Sequence, residues 1–575
     1  MKSRREFLQQ GGMASAGAVL TGLGTSSIPA AAQSSDSHSR PNIIFILADD
    51  MGFSDIGCYG SEVETPNLNS LAEGGLRFSS FYNNPRCCPS RASLLTGLYS
   101  HQVGFALMAD NYGESTYPAY KGDLSENCVT IAEALRTGGY RTAMAGKWHL
   151  TPPLIESKHN WPMQRGFDRF FGTIAGACSY YDPATLTDGN ERVHAGKDFY
   201  YTDAIGDHAV QYIDEFTRAG EQKPFFLYSA FTAPHWPLQA PENVVKKFTE
   251  RFSFGWDQIR ADRHRRQIEA GLLPAKWQIS ERDIRVPPWQ LAADKEWEIR
   301  RMAVYAAQIE CLDQNVGKII SKLKEKGAFE DTLILFMSDN GGNLEELADT
   351  GPLGRSPIFM PHETADGRLV HPGNTPDISP GGPDTYQSIG IPWGNVTNTP
   401  FRMYKHYTQE GGISTPFIAH WPAGIKLGRN AITHQIGHET DVMATLLDLA
   451  QTNYPKEHAG HTVLPTVGTT LVPVFSGKAR AERNYFWEHE GNAAVRMGKW
   501  KLVSAFPDYW QLYDMDADRT ELHDLADQNL DRVRQMAAAY KDWAKMVGVE
   551  PWPVQGIAPT VPGVMPYLRK ENQLD

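Results

Sequence analysis

Four apolar runs, each six or seven residues long and each broken off by polar residues, constrain this chain more than any other feature. Asn42–Ala48 reads Asn-Ile-Ile-Phe-Ile-Leu-Ala and stops at Asp49 and Asp50. Residues 140–145 stop at Gly146, Lys147, Trp148 and His149; residues 224–230 are followed by Pro234, His235 and Trp236; residues 332–338 stop at Asp339, Asn340, Gly341 and Gly342. A strand with no polar face has no side to turn to water, so runs of this kind are buried on both faces, as in parallel sheets covered by helices. Helical patterns lie between them. Thr130 with Glu133 forms a capping box for a helix through Arg136 that Gly138 and Gly139 end. The alternation predicts an α/β fold with a doubly wound sheet, whose ligands bind beyond the carboxyl ends of the strands. The polar residues stand at those ends.

The 575 residues, 41% hydrophobic and 21% charged, fit an ordinary globular chain and exclude collagen, coiled coil and disorder. A formal charge of −12 leaves no basic surplus for a phosphate backbone, so nucleic acid is not an expected partner. Two domains are expected. The first spans 38–480, with a helical pattern at 441–450 closing it; residues 251–300 and 351–398 are read as surface excursions over the site. The second, 481–575, carries strand-like runs at 485–488, 493–497 and 500–504 and a helix near 530–546, an antiparallel α+β unit. Ser3, Arg4, Arg5, Glu6, Phe7 and Leu8 form a twin-arginine pattern, followed by a weakly apolar stretch and Ala30, Ala31 and Ala32. Residues 1–32 are therefore expected to be a signal peptide cleaved after Ala32, with the twin-arginine export machinery as a partner and a periplasmic or secreted mature protein. No other segment reaches the roughly 20 apolar residues of a membrane span. The six cysteines show neither zinc spacing nor small-domain disulfide density.

The densest chemical signal is Cys87-Cys88-Pro89-Ser90-Arg91-Ala92-Ser93-Leu94-Leu95-Thr96-Gly97. Pro89 near a helix start and Leu94, Leu95 and Leu98 beyond it place Cys87 at a helix N-terminus, where free N–H groups and the dipole favour an anion. Arg91, four residues on, returns to the same face. Asp49, Asp50, Asp339 and Asn340 offer only oxygen ligands from two strand ends, which suits a hard cation, Ca²⁺ or Mg²⁺. Lys147 and His149 point to one side if strand geometry persists.

Cys87-x-Pro89-Ser90-Arg91-x-x-x-Leu95-Thr96-Gly97 resembles the maturation motif of type I sulfatases, and Gly139-Tyr140-Arg141-Thr142-Ala143-Met144-Ala145-Gly146-Lys147-Trp148-His149 resembles their second consensus. Pro400-Phe401-Arg402 to Lys405, then Glu410-Gly411-Gly412-Ile413, is most similar to bacterial arylsulfatases. The resemblance implies an alkaline-phosphatase-like fold, a large mixed sheet flanked by helices with a smaller C-terminal antiparallel sheet and helix. It implies oxidation of Cys87 to formylglycine by a maturation enzyme, calcium as the favoured cation with the modified Cys87 as a further ligand beside Asp49, Asp50, Asp339 and Asn340, and a small-molecule sulfate ester as substrate. Lys147, His149, His235 and Lys405 would contact sulfate, bridging oxygen or the formylglycine hydroxyl. The implied reaction has one hydroxyl of hydrated formylglycine attacking sulfur, with Asp339 as base and Arg91 and the cation stabilising the alkoxide. His235 or Lys405 would protonate the leaving alcohol; His149 would then deprotonate the second hydroxyl, which expels sulfate. An alternative within the superfamily is a phosphonate monoester hydrolase or phosphodiesterase, against which Lys147, His149 and Lys405 favour sulfate. A catalytically dead calcium-binding derivative would be expected to have lost one of the ten matched positions, and all ten are present. Trp236, Trp393 and Tyr404 are candidates for an aromatic slot or for core packing.

Overall fold

The computed structural model describes residues 40–109, 115–153, 156–221, 223–350 and 356–555. The twin-arginine pattern and the cleavage point after Ala32 lie outside them. The four apolar runs form the strands Asn42–Ala48, Arg141–Lys147, Phe225–Ala230 and Thr332–Ser338, with nearly every residue buried. They pair in parallel in the order 332–338, 42–48, 225–230, 141–147, and Arg169–Thr173 continues the parallel run beyond 141–147. Together they form the middle of an eleven-stranded mixed sheet.

Past 332–338 the sheet continues with two long strands, and the short strands Ala431–Thr433 and Gly437–His438 pair beyond them. Ser414–His420 is antiparallel to 332–338, and Leu76–Tyr82 is antiparallel to 414–420 in turn, so it runs with the parallel set. Antiparallel placement carries the N-terminal end of 414–420 to the edge where the parallel strands have their carboxyl ends. Helices cover both faces: Tyr201–Phe216 and the 31-residue Lys295–Glu325 pack in one apolar core, Cys87–Thr96, Ile131–Thr137 and Asp441–Leu449 in the other. The expected capping box is present, with Thr130 Oγ1 accepting from the Glu133 N–H and Glu133 from the Thr130 N–H.

At the C-terminal end, strands Tyr485–His489, Asn492–Met497, Trp500–Ser504 and Gln511–Asp514 form an antiparallel meander. Period-two alternation splits its faces. Val495, Leu502 and Leu512 meet Val533 and Met536 of the helix Leu530–Val547, while Trp487, Ala494, Val503 and Tyr513 meet Tyr82 of the main sheet and Ile413, just before strand 414–420. No described helix is long and apolar enough to cross a membrane.

Residues 251–300 depart from the expected surface excursion. They form a helix, Gly255–Glu269, and begin Lys295–Glu325, and Arg260 and Arg263 are buried. Arg263 pairs with Asp55 and Glu62, and Arg260 donates to the carbonyls of Asn395 and Ser280. An arginine count alone reads as solvated surface, but five fixed donors let arginine tie buried loops together. The 351–398 stretch likewise contains a buried helix, Gly390–Thr397.

Candidate active site

The register of the central strands builds the site. Ala48 lies opposite Ser338, so the next residues of each strand, Asp49 and Asp339, leave the sheet side by side. The Asp339 N–H donates to the Ala48 carbonyl at 3.1 Å, the Asp50 N–H to Asp339 Oδ1 at 3.2 Å, and Asn340 Nδ2 to Asp50 Oδ1 at 2.7 Å. Strand 141–147, two places along, ends on Lys147, whose Nζ reaches Asp49 Oδ2 at 2.5 Å. Strand geometry does not persist to His149. Its φ is 59°, left-handed like that of Asp50 at 61°, and Gly176 lies so close to the ring that an added Cβ would stand 2.0 Å from His149 Cε1.

Cys87 opens the helix Cys87–Thr96, every residue of which is buried. Arg91 lies one turn in and donates to Asp339 Oδ2 through Nε at 3.0 Å and to the Lys147 carbonyl at 2.9 Å, with Nη2 at 3.5 Å from Asp49. The thiols of Cys87 and Cys88 and a ring nitrogen of His149 lie within 4.8 Å of one another. Cys88 Sγ accepts the Ala109 N–H, and none of the six cysteines is joined in a disulfide. His235, in the loop after 225–230, and Lys405, in the segment before 414–420, come from the remaining two directions. Lys405 Nζ donates to Asp50 Oδ2 at 2.8 Å and lies 3.4 Å from His235 Nε2. His235 Nδ1 lies 2.6 Å from the Trp236 carbonyl, which can only accept, so Nδ1 carries the proton and Nε2 presents a lone pair. All ten residues singled out from the sequence meet here, and all are buried.

Electrostatically the cluster is unsettled. Asp49 Oδ1, Asn340 Oδ1 and both ring nitrogens of His149 are buried without a hydrogen-bond partner. Burial, together with the neighbouring Asp50, pushes the Asp49 carboxyl up to about 6; burial and the Asp49 charge push Asp339 up to about 8. The Cys87 thiol is held well below its ordinary value, because the Cys88 hydrogen bond and the Lys147 charge outweigh its burial. Burial holds His149 and His235 down at about 4, so both are neutral near pH 7. Lys405 is raised: burial opposes its charge, but Asp50 and Glu345 win.

Two further members had no motif to announce them. Glu345 pairs with Arg86 at 3.0 Å, lies 3.8 Å from Lys405 Nζ and accepts from Trp236 Nε1. The charges of Lys405 and Arg86 hold its carboxyl well below the usual range despite burial. Their only signal is adjacency, Arg86 preceding Cys87 and Glu345 following Asn340 by five residues. Of the three aromatic candidates, Trp393 packs among Trp256, Trp289 and Phe252, and Tyr404 donates to Asp283, both wholly buried. Trp236 alone is partly exposed, beside His235 and Tyr386.

The family model described as Sulfatase matches residues 41–452, and one described as the C-terminal part of N-sulphoglucosamine sulphohydrolase matches residues 401–542. An arylsulfatase of Klebsiella aerogenes is 32% identical over 78% of this chain and 94% of its own length. An uncharacterized sulfatase of Schizosaccharomyces pombe is 31% identical over 91% of this chain and 96% of its own. The crystal structure of Ps i-CgsB in complex with k-i-k-neocarrahexaose shares the fold, with a TM-score of 0.63 at 24% identity over 89% of this chain and 94% of that one.

Proposed function

The chain belongs to the sulfatase family and hydrolyses sulfate esters, and we propose that it does so at the Cys87 cluster, with Cys87 matured to formylglycine and a hard divalent cation held by Asp49, Asp50, Asp339 and Asn340. The observation that carries this reading is the pair of unpartnered oxygens, Asp49 Oδ1 and Asn340 Oδ1, buried among carboxylates that burial and mutual repulsion push toward protonation. An all-oxygen donor set of this kind fits Ca²⁺ or Mg²⁺. When present, the cation supplies a Lewis acid and the hydrated aldehyde supplies a hydroxyl nucleophile with a second hydroxyl for release.

Charge balance fits an anionic substrate. Three cations, Arg91, Lys147 and Lys405, face three carboxylates, Asp49, Asp50 and Asp339, so a bound dication leaves the cluster positive toward a sulfate ester. Arg91 orients Asp339 beside position 87. Lys147 grips the sulfuryl oxygens. Lys405 holds a proton within reach of His235 Nε2, which makes it the donor to the departing oxygen and His235 the group that orients it. His149, neutral and unpartnered, is available to take a proton from the residue at 87. Trp236 offers its exposed face to the alcohol or phenol portion.

The test is release of inorganic sulfate from a panel of aryl, alkyl and sugar sulfates beside a phosphonate monoester, combined with mass analysis of the peptide that starts at Cys87. Sulfate release with a peptide lighter by loss of H₂S and gain of one oxygen is expected. An intact thiol at 87 in fully active enzyme would sink the formylglycine reading. Export is proposed on the twin-arginine pattern; replacing Arg4 and Arg5 together by lysine should leave the protein in the cytoplasmic fraction.

A further inference from the structure

A second group of metal-ligating side chains lies where the C-terminal meander meets the segment that carries Lys405. His406 follows Lys405, and its N–H donates to the Pro85 carbonyl at 2.6 Å. His489 ends the strand Tyr485–His489, and Glu490 stands in the turn that follows. One donor atom from each of the three lies within 4.8 Å of the others, and all three residues are buried. His406 Nδ1 is 3.6 Å from Glu490 Oε2. Two ligands about 2.0–2.1 Å from a tetrahedral ion stand about 3.4 Å apart, so this edge needs little adjustment.

The nitrogens are prepared as ligands. His406 Nδ1 and His489 Nε2 are buried with no hydrogen-bond partner, a costly arrangement unless something takes their lone pairs. His489 Nδ1 lies 3.3 Å from the Ala106 carbonyl, which accepts its proton and turns the lone pair onto Nε2, the second contact typical of ligating histidines. His406 and Glu490 both adopt left-handed φ, 86° and 49°, sparsely populated backbone that persists only where the surroundings fix it. Burial holds both histidines down at about 3, hence neutral and able to bind metal near pH 7. Arg86 faces the group, with its charge already paired to Glu345.

We propose that His406, His489 and Glu490 form a second metal site, distinct from the oxygen cage, for a divalent d-block ion of the zinc class. Two imidazoles and one carboxylate suit zinc, whereas calcium and magnesium take oxygen. The ion would clamp the 485–497 hairpin to the backbone beside Lys405, a positioning role rather than a catalytic one.

Zinc analysis on the full-length protein, dialysed against micromolar free zinc, tests this. About one zinc per chain beyond the calcium or magnesium is expected, reduced to background in Glu490→Gln and in His489→Gln and retained in Asp50→Ala. Zinc-edge X-ray absorption of the unaltered protein should show two imidazole shells, a readout that does not depend on how the variants fold. Failure to bind zinc, a shell of oxygen only, or zinc kept by both folded variants would overturn the site.

Discussion

Two buried charge clusters lie at opposite ends of the segment from Lys405 to Ser414, and they have opposite characters. At the sheet edge, Asp49 and Asp339 are pushed up to about 6 and about 8 and leave polar atoms unpartnered. Where the main sheet meets the C-terminal meander, Glu410 accepts from Tyr82, Arg519, Ser414 and Lys501 at 2.7–2.9 Å. There the charges of Lys501 and Arg519 overcome burial and hold Glu410 down at about 2. Glu521, sharing Lys501, is pushed up by burial, so the network is tight without being perfectly balanced. A buried carboxylate whose partners come from the chain is a fastener, whereas carboxylates crowded together with spare oxygens await a partner from outside.

The sharpest way to break this contrast is at Cys87. Cys87→Ala should lower turnover by on the order of 10⁴-fold or more with folding intact, while Cys88→Ala, whose thiol accepts the Ala109 N–H within the core, should keep most activity. Equal losses, measured by sulfate release beside a melting curve, would show that the helix start rather than the residue at 87 matters.

Next comes a crossed pair. Asp50→Ala should remove the hard cation and the activity together, and should destabilise the metal-free protein less than Glu410→Ala does, since it thins out three crowded carboxylates while Lys405 keeps Glu345 nearby. Glu410→Ala strands Lys501 and Arg519 in a buried interface and should cost about 3–5 kcal/mol in denaturant unfolding. A Glu410 variant of unchanged stability would remove the fastener interpretation.

Acid should act on the two clusters with opposite sign. Glu410 titrates near 2 when folded against 4.5 in its ordinary state, so its contribution is complete above about 4.5 and is lost as pH falls toward 2. That contribution is about 3 kcal/mol, and Glu410→Gln should flatten the acid limb of the stability curve. Asp49 and Asp339 are raised, so chelated protein should instead lose stability as pH rises from about 4 toward 8, and the added cation should abolish that loss.

The smallest effect separates roles within the site. Lys405→Ala, and His235→Ala to a lesser degree, should slow esters of poorly acidic alcohols some 10- to 100-fold more than esters of acidic phenols. Lys147→Ala should slow both alike. A flat leaving-group series for Lys405→Ala would move the proton-donor role to His235.

Local pattern alone determined much of this protein. Four apolar runs became four adjacent strands, the Thr130 capping box formed, and Cys87 opened a helix, because burial on both faces, capping and helix starts are written within a few residues. Asp49, Asp50, Asp339, Asn340, Lys147 and His149 could be read from the ends of those runs, whereas His235 and Lys405 were singled out only through the family resemblance. Among the strands that went unread, 76–82, Leu-Arg-Phe-Ser-Ser-Phe-Tyr, mixes in polar residues that the interior satisfies, and 414–420 contains a proline. Only tertiary structure set Ala48 opposite Ser338, which makes neighbours of Asp49 and Asp339, and only the reversed direction of 414–420 delivered Lys405 to Asp50. Arg86, Glu345 and the Glu410 network were equally hidden. A charged residue looks the same in sequence whether water or a distant partner satisfies it, and the partner is chosen by strand register and direction, which the whole sheet decides.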